Sequence, residues 1–258
     1  MRGTAVSALA DALIVLVSVF GSGLLGLHLR SVLPQGHLQE DSLGMVRLCT
    51  GVIATLAALV LGLLIASAKS NYDRVNDEVT QAAAAVVLLD RTLAEFGPQT
   101  KEARSSLRTA VDATLNTVFS AHGRGVADLD DPQRSAIGER LQAEIRTLTA
   151  ENDAQRTLQA RALELNNEVA KIRLLTITQA EGSIPAGFLI VLVLWLAIMF
   201  AGFGLVTANN PTVIVTLFLC ALSLAGAVFM IEELNRPLEG FMKISSAPIR
   251  FAQTHIGG

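Results

Sequence analysis

Three stretches of this chain contain no Asp, Glu, Lys or Arg, namely residues 12–29, 48–68 and 182–231. A helix needs about 20 apolar residues to cross about 30 Å of hydrocarbon, so each stretch has the length of at least one membrane span. Charged residues make up only 17% of the chain, against about 25% in soluble domains, and 31 of the 43 lie in residues 69–181. The sequence therefore predicts an all-α integral membrane protein with one polar insertion, and it excludes an ordinary soluble enzyme.

The uncharged stretches accommodate four transmembrane helices, at Ala8–Leu29, Leu43–Ala68, Ile184–Val206 and Thr212–Ile231. The last two share one uncharged run, which the Asn-Asn-Pro sequence at 209–211 divides, because Asn favours turns and Pro suits the first position of a helix. A cleaved signal peptide is the alternative for the first span. That alternative is disfavoured because the apolar stretch is too long and no small-x-small cleavage site precedes polar sequence.

The orientation of the spans follows from the Lys and Arg residues near their ends. One side of the membrane would carry Arg2, Lys69, Arg74, Lys171, Arg173, Arg236 and Lys243, and the other only Arg30 and Arg47. We therefore expect a multi-pass protein of the cell (inner or plasma) membrane with both termini and the polar insertion in the cytoplasm.

These boundaries predict four regions: residues 1–68 with transmembrane helices 1 and 2, a cytoplasmic helical domain at 69–183, residues 184–233 with helices 3 and 4, and a C-terminal amphipathic tail at 234–258. In the insertion, apolar residues recur at three- and four-residue steps, which is typical of helices. Its first helix continues the second span as far as Phe96, and Gly97-Pro98 ends it. Further helices should follow Pro98, Pro132 and Asp153, with loops at His122–Gly125 and Asp128–Asp131, which makes a cytoplasmic helical bundle inserted between spans two and three.

Several classes of function find no support in the sequence. The net charge is −3, without the basic surface that nucleic acids require. Cys49 and Cys220 both lie in apolar runs, the four histidines stand far apart, and the acidic Asp128–Asp131 segment lacks the spaced ligands of a calcium loop. Phosphate-binding and nucleophile motifs are also lacking. We therefore expect no enzymatic activity, no metal, no cofactor and no nucleic-acid partner.

One face of the second span carries a narrow strip of small or polar residues with a cation at each end. We call it the small-residue strip: Arg47, Gly51, Thr55, Ala58, Gly62, Ala66 and Lys69. Such a strip would line a pore if several copies surrounded one axis. Aliphatic neighbours would then provide a dewetting gate, at Leu59, Leu63 or Ile65.

Periodicity alone leaves a second interpretation of the strip open. Small residues spaced by four let helix backbones approach closely, so the same strip is typical of helix packing. Arg47 likewise either forms a positive ring at the outer mouth, which would favour anions, or extends to the lipid headgroups.

Several motifs resemble those of a bacterial membrane-protein family described as bestrophin-like, which is distantly related to the bestrophin channels. The matching segments are Leu43–Asp73, Asp153-Ala154-Gln155-Arg156, the Pro185-x-x-Phe188 to Trp195 stretch, Asn235-Arg236-Pro237-Leu238-x-Gly240 and Ile244-Ser245-Ser246-x-Pro248. The resemblance covers roughly residues 30–252. It implies a homopentameric ion channel whose second span lines the pore, with inorganic ions and the lipid bilayer as its partners.

Two features depart from the bestrophin pattern. Residues 48–68 contain no Phe, Tyr or Trp, whereas bestrophins carry bulky aromatic neck residues in the second span. In residues 234–258, where bestrophins have a dense acidic calcium clasp, the only acidic residue is Glu239, and Arg236 and Lys243 flank it. The resemblance therefore implies a channel without implying calcium gating.

The sequence favours an oligomeric channel that conducts ions passively. The alternative is a non-conducting membrane scaffold or signalling protein that binds a cytoplasmic partner through its helical domain. A secondary transporter is disfavoured because no charged residue lies near mid-membrane and no span is visibly broken.

Overall fold

The computed structural model describes residues 2–34, 39–120, 126–180 and 186–257. Every regular element in these ranges is a helix, which agrees with the all-α prediction. The helices are α1 (Arg2–Val32), α2 (Glu40–Phe96), α3 (Lys101–Thr117), α4 (Val126–Leu129), α5 (Pro132–Arg146), α6 (Asp153–Ala180), α7 (Ala186–Val206), α8 (Pro211–Leu234) and α9 (Ala247–His255), with a 3-10 turn at Pro98–Thr100.

Four helices in the described ranges, α1, α2, α7 and α8, are long and apolar enough to cross a membrane. They contain the four predicted spans, except that Ile184 and Pro185 lie outside the described residues. As predicted, α2 continues without a break beyond its apolar part and ends at Phe96.

The ends of the helices follow from local chemistry. Asn210 and Asp131 cap α8 and α5, and their side chains accept hydrogen bonds from the backbone N–H groups of Thr212 (3.1 Å) and Gln133 (2.8 Å). Gly97 has φ of 128°, a backbone conformation that suits glycine and ends α2. The Thr100 hydroxyl then donates to the carbonyl of Leu93 at 2.6 Å, so a buried polar group at this helix end is satisfied.

The region between α3 and α5 corrects one expectation. The predicted loop at Asp128–Asp131 begins inside a one-turn helix, α4, which ends at Leu129. The short turn escaped prediction because four residues carry no readable periodicity. The other predicted loop, His122–Gly125, lies outside the described residues.

The chain divides into two compact units. The first, which we call the apolar unit, comprises Arg2–Asn71 and Ser183–Asn235, and in it α1 packs against α7 and α8. Glycines allow α1 and α7 to approach closely, since a β-carbon on Gly204 would stand 2.2 Å from the carbonyl oxygen of Gly23. At the end of α1, the Arg30 guanidinium donates to the carbonyls of Leu205 (3.0 Å) and Val206 (2.6 Å), which caps α7.

The second unit, which we call the helical unit, comprises Tyr72–Gly182 and Arg236–Gly258. Its core joins α2, α3, α5, α6 and α9 through buried aliphatic residues, including Leu89, Leu107, Ile145, Leu165 and Ala252. Asp90, which is buried, pairs with Arg104 through two hydrogen bonds of 2.8 and 2.9 Å. Hydrogen bonding to Asp90 and the negative charge of Asp90 raise the pKa of Arg104, whereas desolvation lowers it.

Candidate pore-lining helix

The apolar part of α2 contacts the rest of its own unit through one stripe of buried residues. We call it the buried stripe: Leu43, Thr50, Ala57, Leu64 and Ala68. Most of its members are seven residues apart, a spacing that returns nearly to the same side of a helix after two turns. At Thr50, α2 lies close to α7, because a β-carbon added at Gly202 of α7 would stand 2.5 Å from the Thr50 hydroxyl oxygen.

The small-residue strip lies on a different side of α2. All seven of its residues are exposed within the chain. At 3.6 residues per turn, the centre of the strip is rotated about 120° from the centre of the buried stripe. The strip therefore faces away from the helices of its own unit.

The glycines of the strip show the same arrangement directly. A β-carbon added at Gly51 or at Gly62 would meet nothing within 4 Å. The close backbone approach that small residues permit occurs instead between α1 and α7, where Gly26 and Gly204 face backbone atoms. Within the described chain, the two glycines of the strip are thus not used for packing against a neighbouring helix.

The candidate gate residues differ in their exposure. Leu59 and Leu63 are 71% and 67% exposed, and they belong to the same exposed aliphatic face as Leu48 and Val52. Ile65 is half-buried. Two of the three candidates are therefore free to contact something outside the chain.

The share of α2 that its own chain buries is small. In the most apolar window of α2 only 17% of the residues are buried, against 28% in each of the other three candidate spans. Lipid can cover such a surface. The exposed part of α2 also suits contact with further copies of this chain, because one side carries small residues and the other leucines.

The segment after α8 packs onto the helical unit. Leu238 and Ile244 are buried there against Val75 and Val118, while Phe241 is 76% exposed. The buried residues of this segment therefore belong to the core of the helical unit. In the described ranges, no group of three or more His, Cys, Asp or Glu residues could hold a metal ion.

Sequence reasoning missed the buried stripe and the glycine contact between α1 and α7. The signal for the contact was present as Gly23 and Gly26 in one span and Gly202 and Gly204 in another. It could not be assigned to a pair of helices because apolar residues surround all of these glycines.

Comparison with known proteins decides the family. The sequence-family model of the bestrophin-like domain matches residues 15–249, which is most of the chain. The chain belongs to the bestrophin-like family. A search of curated proteins gave no match.

Solved structures share the fold at low sequence identity. Two are single-substitution variants of a bacterial bestrophin homologue from Klebsiella pneumoniae. One is 14% identical with a TM-score of 0.67, covering 95% of this chain and 98% of the other. The second is 15% identical with a TM-score of 0.64, covering 92% and 97%. A third, described as a membrane protein, is 13% identical with a TM-score of 0.66, covering 95% and 96%. The fold of this bestrophin-like chain is thus that of the bacterial bestrophin homologues.

Proposed function

We propose that this bestrophin-like protein is a homo-oligomeric ion channel, with five copies favoured, that conducts ions passively along an axis lined by α2. The observation that carries the proposal is the exposure of all seven strip residues in a helix that its own chain hardly buries. Around a symmetry axis the strip would face the lumen, and its lack of bulk would leave room for ions. Membership of a family that includes channels supports the same function.

The lumen of such a channel would be chemically simple. Thr55 supplies a hydroxyl, which donates to the carbonyl of Gly51 at 3.0 Å and whose lone pairs stay available to a passing hydrated cation or water. Arg47 would form a positive ring at one mouth and favour anions there. Leu59 and Leu63 would narrow the lumen by dewetting where neighbouring copies bring them together.

The proposed setting is the cell membrane, with both termini and the helical unit on the cytoplasmic side. The excess of Lys and Arg near one set of span ends supports this orientation.

Reconstitution tests the proposal. The full-length protein in planar bilayers is expected to give currents under a KCl gradient. In a Cys49→Ala, Cys220→Ala background, Thr55→Cys should make these currents sensitive to a charged, membrane-impermeant thiol reagent. The matched control retains only the native Cys220, which is exposed on α8, and its currents should not respond.

Two results would contradict the proposal. The first is the absence of current across a range of ions, voltages and calcium concentrations from a purified oligomer. The second is current that responds to modification of Cys220 and not of Thr55→Cys, because the lumen would then be lined by another helix.

A further inference from the structure

A partly open cavity of about 370 Å³ lies in the helical unit, lined by α2, α3, α5 and α6 and by Leu238 and Ile249 of the C-terminal segment. Its walls are mostly aliphatic, with Val86, Val111 and Leu141 among them. Ligand sites in proteins occupy about 300–1,000 Å³, and a dry apolar cavity of about 150 Å³ already holds a benzene ring. The volume therefore suits a small organic molecule larger than one ring.

The cavity exists because the first half of α5 packs loosely. Leu141 and Ile145, in its second half, are buried in the core, whereas Ile137 is only half-buried and lines the cavity. A β-carbon on Gly138, which also lines the cavity, would meet nothing within 4 Å. Well-packed cores rarely leave such space between aliphatic side chains.

One buried polar side chain lines this cavity without a partner. Asn166 on α6 is 8% exposed, and its side-chain amide makes no hydrogen bond to any residue that the structure describes. Asn166 thus offers both a donor and an acceptor to whatever occupies the cavity.

The charged residue at the other end of the α6 wall is already engaged. Arg173 donates to the Leu129 carbonyl and, at 3.1 Å, to the Ser135 hydroxyl. Desolvation lowers its pKa, and the nearby charges of Asp130 and Asp131 oppose that effect. Because these carboxylates offset its charge, Arg173 does not favour an anionic ligand.

We propose that this cavity is a binding site for an uncharged amphiphile, whose hydrogen-bonding headgroup pairs with the Asn166 amide and whose hydrocarbon chain contacts the aliphatic walls. A primary amide or an alcohol has the donor and acceptor that Asn166 lacks. Val79 and Leu89, on the wall that α2 forms, are about 15 Å apart along the helix, the extended length of a chain of roughly ten carbons.

A photoreactive decanamide with a diazirine in its chain tests the site. The probe is photolysed with the full-length protein in lipid nanodiscs, and labelled peptides are mapped by mass spectrometry. Label is expected on α5 and α6 around Ile137 and Val169, and excess decanamide should displace it, whereas decanoate should displace it poorly.

Matched variants separate the site from general lipid contact. Asn166→Leu is expected to reduce the cavity label by roughly five- to tenfold, the contribution of one buried hydrogen bond, whereas the same change at Asn116, an exposed residue of α3 that does not line the cavity, should not. Gly138→Leu fills the cavity and should remove most of the label, whereas Ala136→Leu adds bulk on the exposed side of α5 and should not. Thermal unfolding checks that all four variants fold.

Three results would overturn the proposal. Label confined to the apolar unit would show that the probe binds only as a membrane component. Equal labelling in Asn166→Leu and Asn116→Leu would remove the headgroup assignment. Stronger displacement by decanoate, lost in Arg173→Gln, would make the ligand an anion. None of these outcomes depends on whether the protein conducts ions.

Discussion

Gly26 of α1 lies against the backbone of Ala201 of α7, and a β-carbon added at Gly26 would stand 2.1 Å from the Ala201 carbonyl oxygen. Backbone atoms cannot rotate away as a side chain can, so any larger residue must separate the two helices. This contact fixes how closely α1 and α7 pack in the apolar unit.

Gly26→Ala is therefore expected to destabilise the protein by about 1–3 kcal/mol, the usual penalty of overpacking. Gly21→Ala is the matched control on the same helix, because a β-carbon there meets nothing within 4 Å. Thermal unfolding in detergent, followed by size-exclusion chromatography, measures both. Equal unfolding temperatures for the two variants would show that α1 and α7 are not in this contact.

The buried pair of Asp90 and Arg104 gives a prediction for the helical unit. The same carboxylate accepts a hydrogen bond from the backbone N–H of Gly257 at 3.1 Å, so it also holds the C-terminal segment after α9. Asp90→Asn removes the charge of the buried partner and leaves a neutral amide beside Arg104, which is partly exposed. We expect a loss of about 1–3 kcal/mol and faster amide hydrogen exchange in residues 247–257.

The control for this pair is Asp153→Asn. Asp153 pairs with Arg156 one turn away at 2.6 Å, and both side chains are largely exposed, so its loss should change stability by under about 0.5 kcal/mol. If the amides of residues 247–257 exchanged no faster in Asp90→Asn than in Asp153→Asn, the link between Asp90 and the C-terminal segment would be wrong.

Charge reversal at Arg47 separates the two interpretations of that residue. If Arg47 forms a ring at the mouth of the pore, Arg47→Glu should lower the ratio of chloride to potassium permeability by about fivefold, which corresponds to about 1 kcal/mol between charges near water. Arg47→Gln should give an intermediate ratio, and the effect should weaken at high salt. Reversal potentials under a KCl gradient measure the ratio, and a ratio that is the same in all three proteins would place Arg47 at the lipid headgroups.

The exposed leucines give a prediction for gating. Leu59→Thr and Leu63→Thr replace an apolar side chain with a smaller, polar one that lets water wet the lumen, so they should raise the current per channel if these residues form a dewetting constriction. Ile65→Thr should have a smaller effect because Ile65 is half-buried. Single-channel recording compares the currents of the three variants. A larger increase in current in Ile65→Thr than in either leucine variant would place the constriction at Ile65.

The sequence predicts the elements of this fold better than their contacts. The uncharged stretches locate the spans, and Gly97, Asp131 and Asn210 mark helix ends because their backbone and side-chain chemistry acts locally. The continuity of α2 through Phe96 follows from the lack of Gly and Pro between residues 63 and 96. These features depend only on neighbours in sequence.

The contacts depend on which side of each span faces a partner, and hydrophobicity does not record that. Leu64 is buried whereas Leu63 is exposed, although both are leucines in the same apolar run. In a bilayer, lipid and a neighbouring helix are equally apolar, so no periodic pattern distinguishes them. The small-residue strip could be recognised in the sequence, but its exposure could not. Gly23 and Gly26 of α1 are small residues too, yet they are packed closely in the apolar unit.

The arrangement of α2 around a symmetry axis is tested most directly by electron cryo-microscopy of the full-length protein in nanodiscs. The account predicts a ring of identical copies in which α2 is the helix nearest the axis and Gly51, Thr55 and Ala58 face an open lumen. A single copy, or a ring whose centre is plugged or lined by α1, α7 or α8, would contradict it.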